Sequence, residues 1–174
     1  GDTTQTRTER GHEIEAKARV IVEEMLGQEL FPVIGTTDDG YLSASFDGIT
    51  MDETTVVEIK SWNEGKAAEV REGRIPTADV WQCVHQLAVT DANGLIYVVS
   101  DGTPERTVMT RAYPSDRDRL ALLNGWEQFD KDVAAWVPTE SVPDAQAAPM
   151  GGLPAAVVQV QAAWSVRGNL PAFG

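Results

Sequence analysis

The run Thr54-Thr55-Val56-Val57-Glu58-Ile59-Lys60 is dominated by β-branched side chains, which fit a pleated, packed strand better than a helix. Residues two apart on a strand face the same way, about 6.6–6.8 Å apart. Glu58 and Lys60 therefore project together while Ile59 projects into the core. The rest of the chain has to be arranged around a core strand that ends in a carboxylate and an ammonium. Just upstream stands Ser45-Phe46-Asp47-Gly48, followed by the apolar Ile49 and Met51. A glycine at this point supplies backbone freedom, which predicts that Asp47 sits at a turn or bend between two strands of one hairpin, Tyr41 to Phe46 and Ile49 to Met51, beside Glu58.

Two hard carboxylates, Asp47 and Glu58, together with the backbone carbonyl of Ile59 and water, suit Mg²⁺ or Mn²⁺, as one or two ions. Such ions lower the pKa of a bound water and neutralise charge developing on a phosphate under attack. Lys60 is placed to hold or deprotonate the attacking water, so these residue types point to hydrolysis of a phosphodiester. Spacing alone is not specific, because Glu15-Ala16-Lys17 and Glu64-Gly65-Lys66 repeat it. The first lies in a helical pattern, where residues two apart do not face each other. The second follows the polar Trp62-Asn63 break and reads as loop. Geometry by itself leaves a surface ion pair between Glu58 and Lys60 as an equal alternative.

The surrounding chain narrows that choice. Gly11-His12-Glu13-Ile14-Glu15-Ala16-Lys17-Ala18-Arg19, then Ser45-Phe46-Asp47-Gly48, Glu58-Ile59-Lys60 and Trp81-Gln82-Cys83-Val84-His85-Gln86-Leu87 follow one another in the order of a known pattern. Residues 10 to 136 resemble the YqaJ-type viral recombinases, relatives of lambda exonuclease within the PD-(D/E)XK nuclease superfamily. Phe46 stands where that family usually has proline. The resemblance implies an α+β fold of the restriction-endonuclease type, a central mixed sheet flanked by helices. It also implies roles: Glu15 as the helix carboxylate of the metal site, Asp47 and Glu58 as the main ligands, Lys60 as the catalytic lysine and Gln82 as the glutamine that orients the site. The activity implied is that of a phage-type 5′-to-3′ exonuclease acting on double-stranded DNA ends in recombination. Ring-like self-association and a single-strand annealing partner come with it.

The net charge of −13 opposes that reading, since an acidic protein repels a polyanion over about a Debye length, roughly 10 Å at 0.1 M salt. The acids are spread along the sequence, however, whereas Lys60, Lys66, Arg71 and Arg74 cluster after the strand and Arg106, Arg111, Arg117 and Arg119 cluster later. Lys66, Arg71 and Arg74 are the DNA-binding candidates, as a local stripe on an otherwise acidic surface. A lone Cys83 excludes an internal disulfide and a cysteine cluster and reads as a small buried hydrophobe. No run approaches the roughly 20 apolar residues of a membrane span, and no signal-peptide pattern is present, so a cytoplasmic location is expected.

Ile14, Ala18, Ile21, Val22, Met25 and Leu26 recur at helical spacing from residue 10 to 26, with Glu15 at the edge of the apolar stripe. Leu30 to Ile34 opens a strand meander, with turns at Asp38-Asp39-Gly40 and Asp52-Glu53. Residues 61 to 76 read as a loop or weak helix over the site. A helix capped by Thr77 runs to about Thr90, with Val80, Val84, Leu87 and Ala88 inward. Gln82, His85 and Gln86 share another face and can jointly address a substrate, although a backbone-satisfied His85 is favoured over a general base. Leu95 to Ser100 and Arg106 to Thr110 form a second strand pair. A helix over 114 to 136 is expected to turn Leu120, Leu122, Leu123, Trp126, Phe129, Val133 and Trp136 inward.

The expected organisation is a nuclease core over 1–137, a Pro/Ala/Gly-rich linker over 138–154, and 155–174 as a docked tail or the start of a truncated second module. Two other functions stand beside the exonuclease: an endonuclease on the same core, and a catalytically silent DNA-binding or scaffold domain.

Overall fold

The structure, a computed structural model, describes residues 7–137; the linker and tail expected at 138–174 lie outside them. The elements are α1 (Arg7–Leu26), β1 (Leu30–Thr36), β2 (Ser43–Thr50), β3 (Thr55–Ser61), α2 (Glu64–Arg71), α3 (Val80–Val89), β4 (Gly94–Ser100), a 3₁₀ turn (Pro104–Arg106), β5 (Thr107–Ala112) and α4 (Asp116–Ala135). Among the described residues, 7–119 form one compact unit and 120–137 belong to another.

The β-branched run forms β3, and it lies at the middle of a five-stranded sheet in the order β1-β2-β3-β4-β5. β3 and β4 pair in parallel from Thr55 opposite Gly94 to Ser61 opposite Ser100, and the other pairs are antiparallel. A parallel pair needs a crossover, which α2 and α3 supply, and its strands are covered on both faces. β4 is accordingly buried from Leu95 through Ser100. On one face Ala18 and Val22 of α1 pack with Leu30, Val57, Ile59, Ile96 and Val98. Glu58 and Lys60 point to the other face, where α3 packs on β2, β3 and β4. The fold is the mixed α+β sheet expected from the sequence.

Several local readings change. Asp47 lies inside a strand, because the two short strands expected around it are one continuous β2. Gly48 serves space rather than a turn: a Cβ there would stand 3.1 Å from the Cβ of Leu30 on β1. Glu64-Gly65-Lys66 begins a helix, which Asn63 caps by accepting from the Lys66 N–H at 3.0 Å, so one Asx cap outweighs a glycine at the helix start. α3 starts at Val80 after Asp79, not at a Thr77 cap. In α4, Leu122 is buried, but Leu120, Val133 and Trp136 are exposed. Cys83 is buried, and burial pushes its thiol up to about 12. Among the described residues no helix is long and apolar enough to cross a membrane.

Candidate active site

β2 pairs with β1 along almost its whole length, from Leu30 opposite Thr50 to Thr36 opposite Ser43. Its register with β3 is limited to Gly48 opposite Val57 and Ile49 opposite Val56. Beyond Gly48 the two strands part, and the sheet opens into a fork with Asp47 on one arm and Glu58, Ile59 and Lys60 on the other. A strand N–H left without a ladder partner in the interior costs free energy unless a side chain takes it. Asp47 does so, its Oδ2 accepting the Ile59 N–H at 2.7 Å. The N–H and C=O of one strand residue point to the same side, so the Ile59 carbonyl also faces the fork.

Glu58, almost fully buried, is held by three side chains. Lys60 Nζ lies 2.6 Å from its Oε1, Gln82 Nε2 donates to the same oxygen at 2.7 Å, and Gln86 Nε2 donates to Oε2 at 2.6 Å. Lys60 also donates to Gln82 Oε1 at 2.8 Å, closing a Glu58–Gln82–Lys60 triangle. Burial alone would lower the Lys60 pKa, but the hydrogen bond and charge of Glu58 outweigh it and hold the ammonium above its ordinary value. Asp47 is pushed up to about 6, first by burial and then by the negative charge of Glu58 and of Glu15, against the Ile59 N–H that favours its ionised form.

Glu15 approaches from α1. Its Oε1 accepts from Arg19 at 2.6 Å, and the same guanidinium donates through Nε to the Asp47 carbonyl at 2.6 Å. His12, Glu15, Ile59 and Ser61 share an open cleft of about 300 Å³ with Gly11 and Ile14. Among the described residues no three His, Cys, Asp or Glu side chains are gathered as a ready metal cage. The donor chemistry nonetheless fits a hard divalent cation. Mg²⁺ is commonly held by one or two carboxylates plus waters and substrate phosphate, and Asp47 at the fork is raised first by burial and then by the negative charge of Glu58.

Lys66 and Asp79 form a second buried-acid cluster that residue types alone did not reveal. Lys66 Nζ donates to Asp79 Oδ2 at 2.6 Å, and so does the Tyr97 hydroxyl at 2.5 Å. Burial opposes ionisation of Asp79, but these bonds win and set its carboxyl below the usual range. Arg74 pairs with Glu72, while Arg71 stacks on Trp62 at 5.4 Å from the ring centroid. Arg106 lies over the same ring at 4.7 Å and pairs with Glu64 and Asp101. His85 is backbone-satisfied, its Nε2 bonding the Ser43 carbonyl at 2.8 Å. Gln86, grouped by helical spacing with substrate-facing residues, faces Glu58 instead. Arg19 carried no signal in the sequence beyond its place four residues after Glu15.

Among curated proteins nothing matches the chain. Among solved structures, an alkaline exonuclease (LHK-Exo) from Laribacter hongkongensis is 26% identical, over 74% of each chain, with a TM-score of 0.53. LHK-Exo in complex with dAMP matches at 21% identity and a TM-score of 0.57, over 91% of this chain and 70% of that one. The first likeness supports a nuclease reading of the chain, and the second shows the fold. The family model for the YqaJ-like viral recombinase domain matches residues 1–93, which span α1, Asp47, the Glu58–Lys60 strand and the glutamines of α3. With more than half its length matched, the chain belongs to the YqaJ-like viral recombinase domain family.

Proposed function

We propose that the chain is a metal-dependent deoxyribonuclease, and specifically a 5′-to-3′ exonuclease that degrades double-stranded DNA from its ends during phage recombination. The observation that carries this reading is the fork, where Asp47 accepts the Ile59 N–H and Lys60 holds Glu58 at the point where the register of β2 with β3 ends. Asp47, Glu58 and the Ile59 carbonyl would hold Mg²⁺ or Mn²⁺, with Glu15 reaching in from α1. The cation supplies activation of water and neutralisation of charge on the scissile phosphate. Gln82 keeps Lys60 and Glu58 in register. Lys60, held charged by Glu58, suits the tasks of orienting the attacking water and offsetting negative charge in the transition state. Arg71 would contact the phosphate backbone, with Arg74 three residues on contributing less because it is paired with Glu72, whereas Lys66 is committed to Asp79. A ring-like assembly and a single-strand annealing partner belong to the same proposal.

The test is cleavage of linear duplex DNA with Mg²⁺, with and without chelator, beside closed circles, which an exonuclease leaves intact. Lys60→Ala is expected to lower the rate by about 10²–10⁴ while metal and DNA binding persist. Cleavage at the parent rate by Lys60→Ala, with loss in Lys66→Ala, would mean the wrong Glu-x-Lys pair was chosen. A second reading, a catalytically silent binding domain, draws on the tight Lys60–Glu58 pair and predicts no chelator-sensitive cleavage at all.

A further inference from the structure

Gln86 is only 2% exposed, on the face of α3 that looks at the fork. Its single amide nitrogen spans both arms, donating one proton to the Ser45 carbonyl of β2 at 3.0 Å and the other to Glu58 Oε2 of β3 at 2.6 Å. Its own Oε1 is buried with no hydrogen-bond partner among the described residues. Buried polar atoms are nearly always satisfied, so such an orphan calls for a reason. The reason lies in the partners. Turning the amide over would set its oxygen against a carbonyl and a carboxylate, so both donors can serve the fork only if the oxygen is left alone. Ser45 belongs to the part of β2 that has left the β3 ladder. The α3 side chains His85, bonded to Ser43, and Gln86 replace the missing backbone bonds there.

We infer that Gln86 is a positioning residue that fixes the separation of the Asp47 and Glu58 strands and presents the Glu58 carboxylate to a divalent cation. The inference rests on the nuclease reading above but assigns a role to a residue outside the proposed ligand and catalytic set. It differs from the role of Gln82, which bonds Glu58 and Lys60 but neither arm's backbone. Removing the amide frees Oε2 of Glu58 to turn and lets the Ser45 segment drift, while the orphan oxygen is removed as well.

The experiment compares the full chain with Gln86→Met, close in length and without donors or acceptors of its strength, and with the surface control Gln128→Met. Binding of Mn²⁺ is read by electron paramagnetic resonance of the free ion, turnover on linear duplex by kcat and KM, and folding by melting in chelator. Loss of a side chain that orients a metal ligand typically weakens metal affinity or activity about 10–100-fold. The expected result is a loss of that size in Mn²⁺ affinity and kcat, with KM for DNA and the melting temperature in chelator little changed. In a Glu58→Ala background the same substitution should have no further effect on Mn²⁺ affinity, because the coupling acts through Glu58. If Gln86→Met does not fold, Gln86→Asn, too short to span both arms, is read in its place with the same expectation. A folded variant that binds Mn²⁺ as tightly as the parent overturns the role of Gln86 alone. A parent chain that neither binds Mn²⁺ nor cuts DNA overturns the nuclease reading together with it.

Discussion

Asp47→Asn separates electrostatics from structure at the fork. Asparagine keeps a carbonyl oxygen that can accept the Ile59 N–H but removes the charge that crowds Glu58 and Glu15. The native carboxyl holds its proton up to about 6, against an ordinary value of 3.8, so the folded chain binds this proton more tightly than the unfolded chain does. Below the ordinary value both states are protonated and Asp47 contributes nothing to the pH dependence. As pH rises from about 4 to 6 the native state is progressively penalised, and above that the penalty is complete. At about 1.4 kcal/mol per pH unit the gap sets an upper bound of about 3 kcal/mol, which solvent screening at a half-buried group reduces to about 1–2 kcal/mol. Urea unfolding in chelator should therefore find Asp47→Asn more stable than the parent by about 1–2 kcal/mol at pH 8, with the advantage gone near pH 4. Saturating Mg²⁺ should reverse the order, since a ligand at 100 times its Kd stabilises the state that binds it by about 2.7 kcal/mol. A variant less stable than the parent across the whole range, or an advantage independent of pH, would refute the claim that burial and the neighbouring acids together penalise the Asp47 charge.

The Lys66–Asp79–Tyr97 cluster should behave as structure rather than chemistry. Lys66→Met is expected to lower stability by about 1–2 kcal/mol in urea melts, the cost of a partly exposed pair rather than a fully buried one, and Tyr97→Phe by about 1 kcal/mol. Because the Asp79 carboxyl lies below the usual range, its contribution should be present above pH 4 and lost only as pH falls through that depressed value; a loss already complete at pH 5 would contradict it. Arg71→Glu should flatten the slope of log DNA affinity against log salt by about 0.9 for each phosphate no longer neutralised, weakening all sequences alike. Arg74→Glu, whose parent side chain is already paired with Glu72, should do less, and an unchanged slope in both would remove this stripe from the DNA path.

Much of the fold could be read from periodicity because its signals are local and redundant. The β-branched run of β3, the apolar β4 and the Val80–Val84–Leu87–Ala88 stripe of α3 each bury the residues that their spacing selects. What failed was punctuation. Gly48 and the polar Trp62-Asn63 step both suggested breaks, yet Gly48 sits within a strand to admit Leu30 and Asn63 caps a helix. The first reason is not local, because Leu30 lies on another strand, whereas the Asn63 cap stood in the sequence and could equally have signalled a helix start. α4 misled for another reason. Leu122, Trp126, Phe129, Val133 and Trp136 do fall on one helical stripe, yet Leu122 is buried while Val133 and Trp136 stay exposed, as does Leu120, which stands off the stripe.

The site was legible as far as residue types select a chemistry and illegible where geometry divides the labour. Strand alternation was enough to put Glu58 and Lys60 together, and the structure does so at 2.6 Å. Nothing in the spacing of α3 says that Gln82 and Gln86, four apart, reach opposite oxygens of one carboxylate; that follows from where the helix crosses the fork. The sequence separates Lys60 from Lys66, each preceded by a glutamate at i−2, only by the β-branched run before the first and the polar break before the second. The structure divides them by partner. Lys60 points at the acid of the open fork, where charge is crowded and Asp47 is pushed up to about 6. Lys66 lies on an acid that Tyr97 has already satisfied. Glu58 is itself paired with Lys60, so the difference lies in Asp47: a cation at the fork would relieve the repulsion it feels from Glu58 and Glu15, whereas Asp79 is held by both Lys66 and Tyr97, and that makes the fork the better candidate for the chemistry.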